Sequence, residues 1–128
     1  MTDADLNAAW TAWLRTFRYD WWATPAFGHP TSAAAMLRAV TAWLQPFPKA
    51  YAVVGVQRGP LGNRLHLHGL LGGIGRHPDT ERMLRDAWRH GNLSIVGFSP
   101  RRGALDYIVH QATEIEIIGQ PVIYRPRR

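Results

Sequence analysis

Two histidines separated by a single residue, His66 and His68, stand in the run RLHLHGLL. Side chains alternate along a strand, so the two imidazoles share one face while Leu65 and Leu67 share the other. Two residues of strand advance roughly 6.6 Å, a separation from which both rings can converge on one ion. Imidazole is also the commonest side-chain metal ligand. Taken alone, such a pair more often marks two ordinary, partly exposed strand histidines.

The preceding run YAVVGVQ reads as a strand joined to this one through the turn GPLGN. With a loop of residues 60–63, Gly59 faces Arg64, Gln57 faces His66 and Gly55 faces His68. A tighter turn at Gly62 and Asn63 sets Gln57 opposite His68 instead. Both registers place a polar amide on the histidine face, with Gly55 or Gly59 leaving open space beside the rings. An odd register would spoil the grouping. Histidine-triad nucleotide hydrolases want a third alternating histidine, where this chain has Arg64 and Leu70. Cupins carry the same pair on all-β chains.

A second pattern lies in GALDYIVHQATE. Leu105, Ile108, Val109 and Ala112 form an apolar stripe on a helix expected from about Ala104 to Glu114. Tyr107, His110, Gln111 and Glu114 form the opposite face. Tyr107 is therefore offered away from the core among polar neighbours.

These residues need a scaffold. A first helix is expected from the stripe Leu6, Trp10, Trp13, Leu14 and Phe17, with Thr2 and Asp5 at capping-box spacing. WWATPAF reads as a strand, and Pro25 suggests an edge or a bulge. Trp21 and Trp22 point to opposite faces of it, so one of them could stack on a base. Thr31 or Ser32 caps a second helix running to about Gln45, with Met36, Leu37, Val40, Trp43 and Leu44 inward. The two central strands follow. A third helix spans PDTERMLRDAWRHG, with Asp79 as cap and Gly91 as stop. Trp10, Trp13, Trp43 and Trp88 are expected in the core, and His90 is expected to be structural. LSIVGF supplies a fourth strand and IEIIGQPVIY a last one, interrupted at Gly119, Gln120 and Pro121. The order αβαββαβαβ lacks strict βα alternation and implies an α+β domain, residues 1–128, with a largely antiparallel sheet.

The totals narrow the class. The chain of 128 residues fits one domain and carries no cysteine, which excludes disulfides and thiolate metal sites and suits a reducing cytoplasm. MTDADLN is unlike a signal peptide, and no apolar run reaches the ~18 residues of a membrane span. Lys and Arg number 15 against 9 Asp and Glu, a net +6 that suits an acidic polymer. Arg58, Arg64, Arg101 and Arg102 flank the histidine and tyrosine motifs and could track phosphates. No GxxxxGK[ST] motif occurs, so the signature of an ATP-driven motor is absent from this stretch, and a host helicase is a candidate partner.

Together, QRGPLGNRLHLHGLL and WRHGNLSIVGFSPRRGALDYIVHQ resemble the rolling-circle replication initiators (Rep proteins) of plasmids and phages, in the HUH endonuclease superfamily. The likeness spans roughly residues 21–113. It rests on a His-x-His pair about forty residues before a Tyr-x-x-basic helix, in this element order. It implies a ferredoxin-like palm: a central antiparallel sheet of about five strands, flanked by helices, with the histidines on a middle strand. It also implies nicking and joining of single-stranded DNA at an origin-like or hairpin sequence, through a 5′-phosphotyrosine intermediate and with Mn2+ or Mg2+. His66 and His68 match the metal pair, and Tyr107 matches the nucleophile. Gln57 stands where the family often has Glu, and His110 where it often has Lys. Gln57 can still coordinate through its carbonyl oxygen, without charge. His110 would touch the phosphate or manage the tyrosine proton. Single-strand transposases of the superfamily take a third ligand four residues after the nucleophile, the position of Gln111; Gln57 is preferred on hairpin parity. Replication, conjugation by relaxases and transposition share this chemistry. Two other readings are a DNA-binding module of this fold without catalysis and a metal enzyme of unrelated chemistry.

Overall fold

The computed structural model describes residues 2–59 and 64–123, which leaves the 60–63 turn expected above outside the described residues. Its elements are α1 (Asp3–Leu14), β1 (Trp21–Pro25), α2 (Ala33–Trp43), β2 (Tyr51–Arg58) and β3 (Leu65–Gly72). They continue with α3 (Pro78–Ala87), β4 (Leu93–Gly97), a 3-10 turn (Pro100–Arg102), α4 (Ala104–Gln111) and β5 (Glu114–Ile118). The expected α+β architecture is present. Five strands lie in the order β4-β1-β3-β2-β5, every neighbouring pair antiparallel, with four helices against them. The histidine strand β3 is the middle one.

Alternation along β3 divides the molecule into two cores. Leu67 packs with Trp21, Ala23, Val54 and Leu71 beneath α2 and α3, where Met36, Val40, Trp43 and Leu84 meet the sheet. Leu70 and Val53 face the other way, onto Leu105, Ile108 and Val109 of α4 and Leu14 of α1. With both faces covered, residues 51–56 of β2 are buried without a break. A two-sided strand of this kind reads as a continuous apolar run.

Several local expectations need correction. Only Thr11 and Leu14 of α1 are buried, while Leu6, Trp10 (37% exposed) and Trp13 (48%) lie outside. The helix packs on α4 rather than over open sheet, so it encloses a narrow strip. Trp10 and Trp13 instead pack on each other, at 5.7 Å between ring centroids. Pro25 is neither edge nor bulge. It closes an inner strand, beyond the β1–β3 register that runs from Trp21↔Leu71 to Ala23↔Gly69, where no N–H is needed for that ladder.

Ser32 caps α2, which ends at Trp43. His77, not Asp79, precedes the first turn of α3, because Pro78 takes the opening helical position. Asp79 instead pairs with Arg82 at 2.7 Å. That helix ends at Ala87, before Gly91, as Trp88 becomes extended and donates Nε1–H to the Ala26 carbonyl. Glu114 opens β5 and so leaves the face assigned to it on the tyrosine helix. Among the described residues, no helix is long and apolar enough to cross a membrane.

Candidate functional site

The register of β2 on β3 pairs Gln57 with His66 and Gly55 with His68, and Gly59 N–H donates to the Arg64 carbonyl at 2.6 Å. This is the even register that a four-residue connection requires. Gln57 therefore shares the histidine face. Thr24 joins from the other side, its Oγ1 3.3 Å from His68 Nδ1. With Nδ1 engaged by Thr24, Nε2 is the nitrogen left for a ligand.

Helix α4 crosses this face. Its stripe Leu105, Ile108 and Val109 is buried, and Tyr107 is turned out at 41% exposure. The approach is close because β2 carries glycine at the crossing. A Cβ on Gly55 would lie 2.8 Å from Ile108 Cγ2 and 3.0 Å from Ala112 Cβ. The open space expected beside Gly55 is thus filled by α4. Beside Gly59, the His66 ring itself approaches, with Nε2 3.1 Å from where a Cβ would stand.

Consequently Tyr107 meets the residues of the sheet. Its hydroxyl donates to Gln57 Oε1 at 3.2 Å. Its ring stands edge-on to His68, with centroids 5.1 Å apart and planes at 82°. Gly55, Gln57, His68, Tyr107, Gln111 and their α4 neighbours line one small, tightly closed cleft without room for a water molecule. His66, exposed, borders the adjoining groove with Thr24, Pro25, Phe27 and Arg64. Burial pushes the His68 pKa below its ordinary value, and the nearby His66 adds to the effect. Both influences favour neutral imidazole, the form that binds a metal.

His110 is placed differently. It lies on the α1 side of α4, with Nδ1 3.5 Å from Asn7 Nδ2, and it does not line the cleft. Arg64 donates to the Phe27 carbonyl at 2.8 Å. Trp21 is buried beneath α2 and α3, and Trp22 is half-buried against the α4 core. His90 packs on Phe27 and Trp88.

The candidate ligands suit a divalent cation in type: two imidazoles and an amide oxygen from adjacent strands, one imidazole favoured in its neutral form and in contact with Thr24. Among the described residues no three His, Cys, Asp or Glu side chains gather, and the further side-chain oxygens lining the cleft are the amides of Gln57 and Gln111. Comparison with family models, with curated proteins and with solved structures gave no match to this chain. Thr24 and Asn7 were not foreseen from the sequence. Strand alternation in β1 would have put Thr24 on one face with Trp22, but not opposite His68.

Proposed function

We propose that this chain is a metal-dependent single-stranded DNA endonuclease and strand transferase of the HUH type, of the kind that initiates rolling-circle replication. The observation that carries the reading is the position of Tyr107, whose hydroxyl sits 3.2 Å from Gln57 and whose ring abuts His68. A helix tyrosine presented to a His-x-His strand is a pairing suited to metal-assisted phosphodiester transesterification.

In this reading Tyr107 Oη bonds to the phosphorus of the scissile phosphate as the P–O3′ bond breaks. The 5′-phosphate remains on the tyrosine. The upstream strand leaves as a 3′-hydroxyl that carries the proton lost by the tyrosine, relayed through solvent. Reversal by another 3′-hydroxyl joins strands without ATP. A divalent cation, Mn2+ or Mg2+, held by His66, His68 and Gln57 would withdraw charge from the phosphate. Gln57 orients the nucleophile, and burial favours the neutral form of His68. Arg64, Arg101 and Arg102 supply positive charge to the strand.

A DNA-binding module without catalysis is the second reading. It is favoured by the ligand set, in which no carboxylate among the described residues joins the two histidines. A 3′-labelled pool of single-stranded oligonucleotides, incubated with and without Mn2+ and run on a denaturing gel, separates the two. A metal-dependent covalent adduct supports the nuclease. Retention of DNA in a native gel without adduct supports the module, and neither outcome leaves a metal enzyme of other chemistry.

A further inference from the structure

Helix α4 has a second flank that the cleft does not use. Asp106, next to Tyr107, borders a partly open cavity of about 200 Å3 between the end of α1, the start of α4 and the segment after β4. Its walls are aromatic. Phe17 and Tyr19 meet edge-on, as do Tyr19 and Phe98, with centroids 6.4 and 5.1 Å apart. A dry cavity of about 150 Å3 already accepts a benzene ring, so this one is scaled to a single planar ring system.

The mouth is charged. Arg15 and Asp106 pair across it at 3.2 Å, both side chains substantially exposed. Such a pair offers donors and acceptors to the edge of a ring. Pro100 and Gly103 line the cavity, and the exposed Arg101 and Arg102 lie between them in the chain. Aromatic walls, a polar mouth and a cationic rim match one ligand chemistry: an uncharged heteroaromatic ring attached to an anionic backbone. Successive residues of a helix are turned by about 100° and rise by 1.5 Å. The α4 residues that line the cavity, 104–106, thus lie within one helical turn of Tyr107 in the chain.

We propose that this cavity is a nucleobase pocket, seating one unpaired base of the strand whose phosphate is presented to Tyr107. This rests on the single-stranded DNA reading above. It adds a point at which the strand is gripped by a base rather than by its backbone.

The test uses the full chain and two probes of about twelve nucleotides, within the site size of a small single-strand binder. The first is oligo-dT carrying 5-iodouracil; the second is an abasic strand of equal length. Irradiation of the first should crosslink uracil to Tyr19 or Phe98, located by peptide mass spectrometry. Wild-type protein should bind oligo-dT more tightly than the abasic strand by roughly fivefold or more, the range of base–aromatic stacking. Phe98→Ala should remove that discrimination while leaving affinity for the abasic strand unchanged. Crosslinks confined to other residues, or discrimination that persists in Phe98→Ala, would overturn the pocket. Should Phe98→Ala fail to fold, the wild-type crosslink decides alone. Covalent adduct formation is scored separately, so loss of the nuclease reading and loss of the pocket remain distinct results.

Discussion

The Tyr107 hydroxyl and the Gln57 side-chain oxygen, brought from α4 and β2, share one hydrogen bond of 3.2 Å. The proposed nucleophile and the preferred third ligand are therefore in direct contact. Each candidate role has a consequence that can be measured.

Replacement of Tyr107 by Phe deletes only the hydroxyl. The ring stays beside His68, and the lost hydrogen bond is partly exposed, worth about 1 kcal/mol or less. Tyr107→Phe should abolish the covalent adduct on a denaturing gel. DNA affinity in a native gel should change by less than about threefold, a difference under 1 kcal/mol. Adduct formed at the original rate would move the nucleophile to Tyr19, Tyr51 or Tyr124. Of these, Tyr19 donates to the Leu14 carbonyl and Tyr51 to the Arg18 carbonyl.

The choice between the two glutamines can be made by adding charge. A carboxylate holds a hard divalent cation better than an amide does. Gln57→Glu should lower the Mn2+ concentration that half-saturates binding on the order of tenfold, about 1.4 kcal/mol. The new carboxylate can still accept from Tyr107. Isothermal titration of Mn2+ into the two variants reads the difference. If Gln111→Glu tightens Mn2+ binding and Gln57→Glu does not, the third ligand comes from the helix.

Much of this site was legible because it depends on short-range periodicity. The two-residue period of β3 put His66 and His68 on one face, and even hairpin parity brought Gln57 to them. The helical period of α4 turned Tyr107 away from Leu105 and Ile108. What stayed hidden depends on distant partners. Thr24 reaches His68 across 44 residues of chain, through a pairing of β1 with β3 that local patterns do not specify. Helix α1 carries apolar residues on more than one side. Which side is buried was settled by α4, about a hundred residues later, so Trp10 and Trp13 were misplaced in the core. Gly55 was recognised as space, but its occupant, Ile108, belongs to an element whose crossing point no spacing rule gives.

That crossing makes Gly55 a sensitive position. A methyl group there would meet Ile108 Cγ2 at 2.8 Å and Ala112 Cβ at 3.0 Å, so α4 must shift or tilt. Overpacking of this kind costs about 1–3 kcal/mol. Gly55→Ala should lower the unfolding free energy in urea by that amount. Adduct formation should fall further than stability explains, because displacement of Tyr107 by about 1 Å can cost on the order of a hundredfold in rate. A variant as destabilised as expected but fully active would show that the seat of α4 does not control the nucleophile.

The lowered pKa of His68 has a sign that can be tested in the metal-free protein. Burial disfavours its charged form, and the neighbouring His66 acts in the same direction. In the unfolded chain the group titrates near its ordinary 6.5, so on acidification the unfolded state binds the proton first. The stability contributed by neutral His68 is present above pH 6.5 and is lost as pH falls through the lower folded-state value. Urea unfolding in chelator should show stability declining across that window, and His68→Gln should remove part of the decline. An unchanged slope in His68→Gln would assign the dependence to other groups.

Thr24 offers the sharpest separation of position from bulk. Its Oγ1 lies 3.3 Å from His68 Nδ1, and its strand pairs with β3 up to Ala23↔Gly69, one step away. A metal on Nε2 would require the proton on Nδ1, and the threonine oxygen would then accept that hydrogen bond, fixing both tautomer and ring orientation. Loss of such a supporting partner typically lowers metal affinity 10–100-fold. Valine has nearly the same shape without the hydroxyl, so Thr24→Val should weaken Mn2+ binding about tenfold or more. Thr24→Ser keeps the acceptor and should restore most of it. Unfolding midpoints of the two variants should be similar, because the group is only half-buried and the sheet register is untouched. Equal Mn2+ affinity in Thr24→Val and the unaltered protein would mean that His68 is oriented by its own packing against Tyr107. Equal weakening in Thr24→Val and Thr24→Ser would make the effect one of volume rather than of hydrogen bonding.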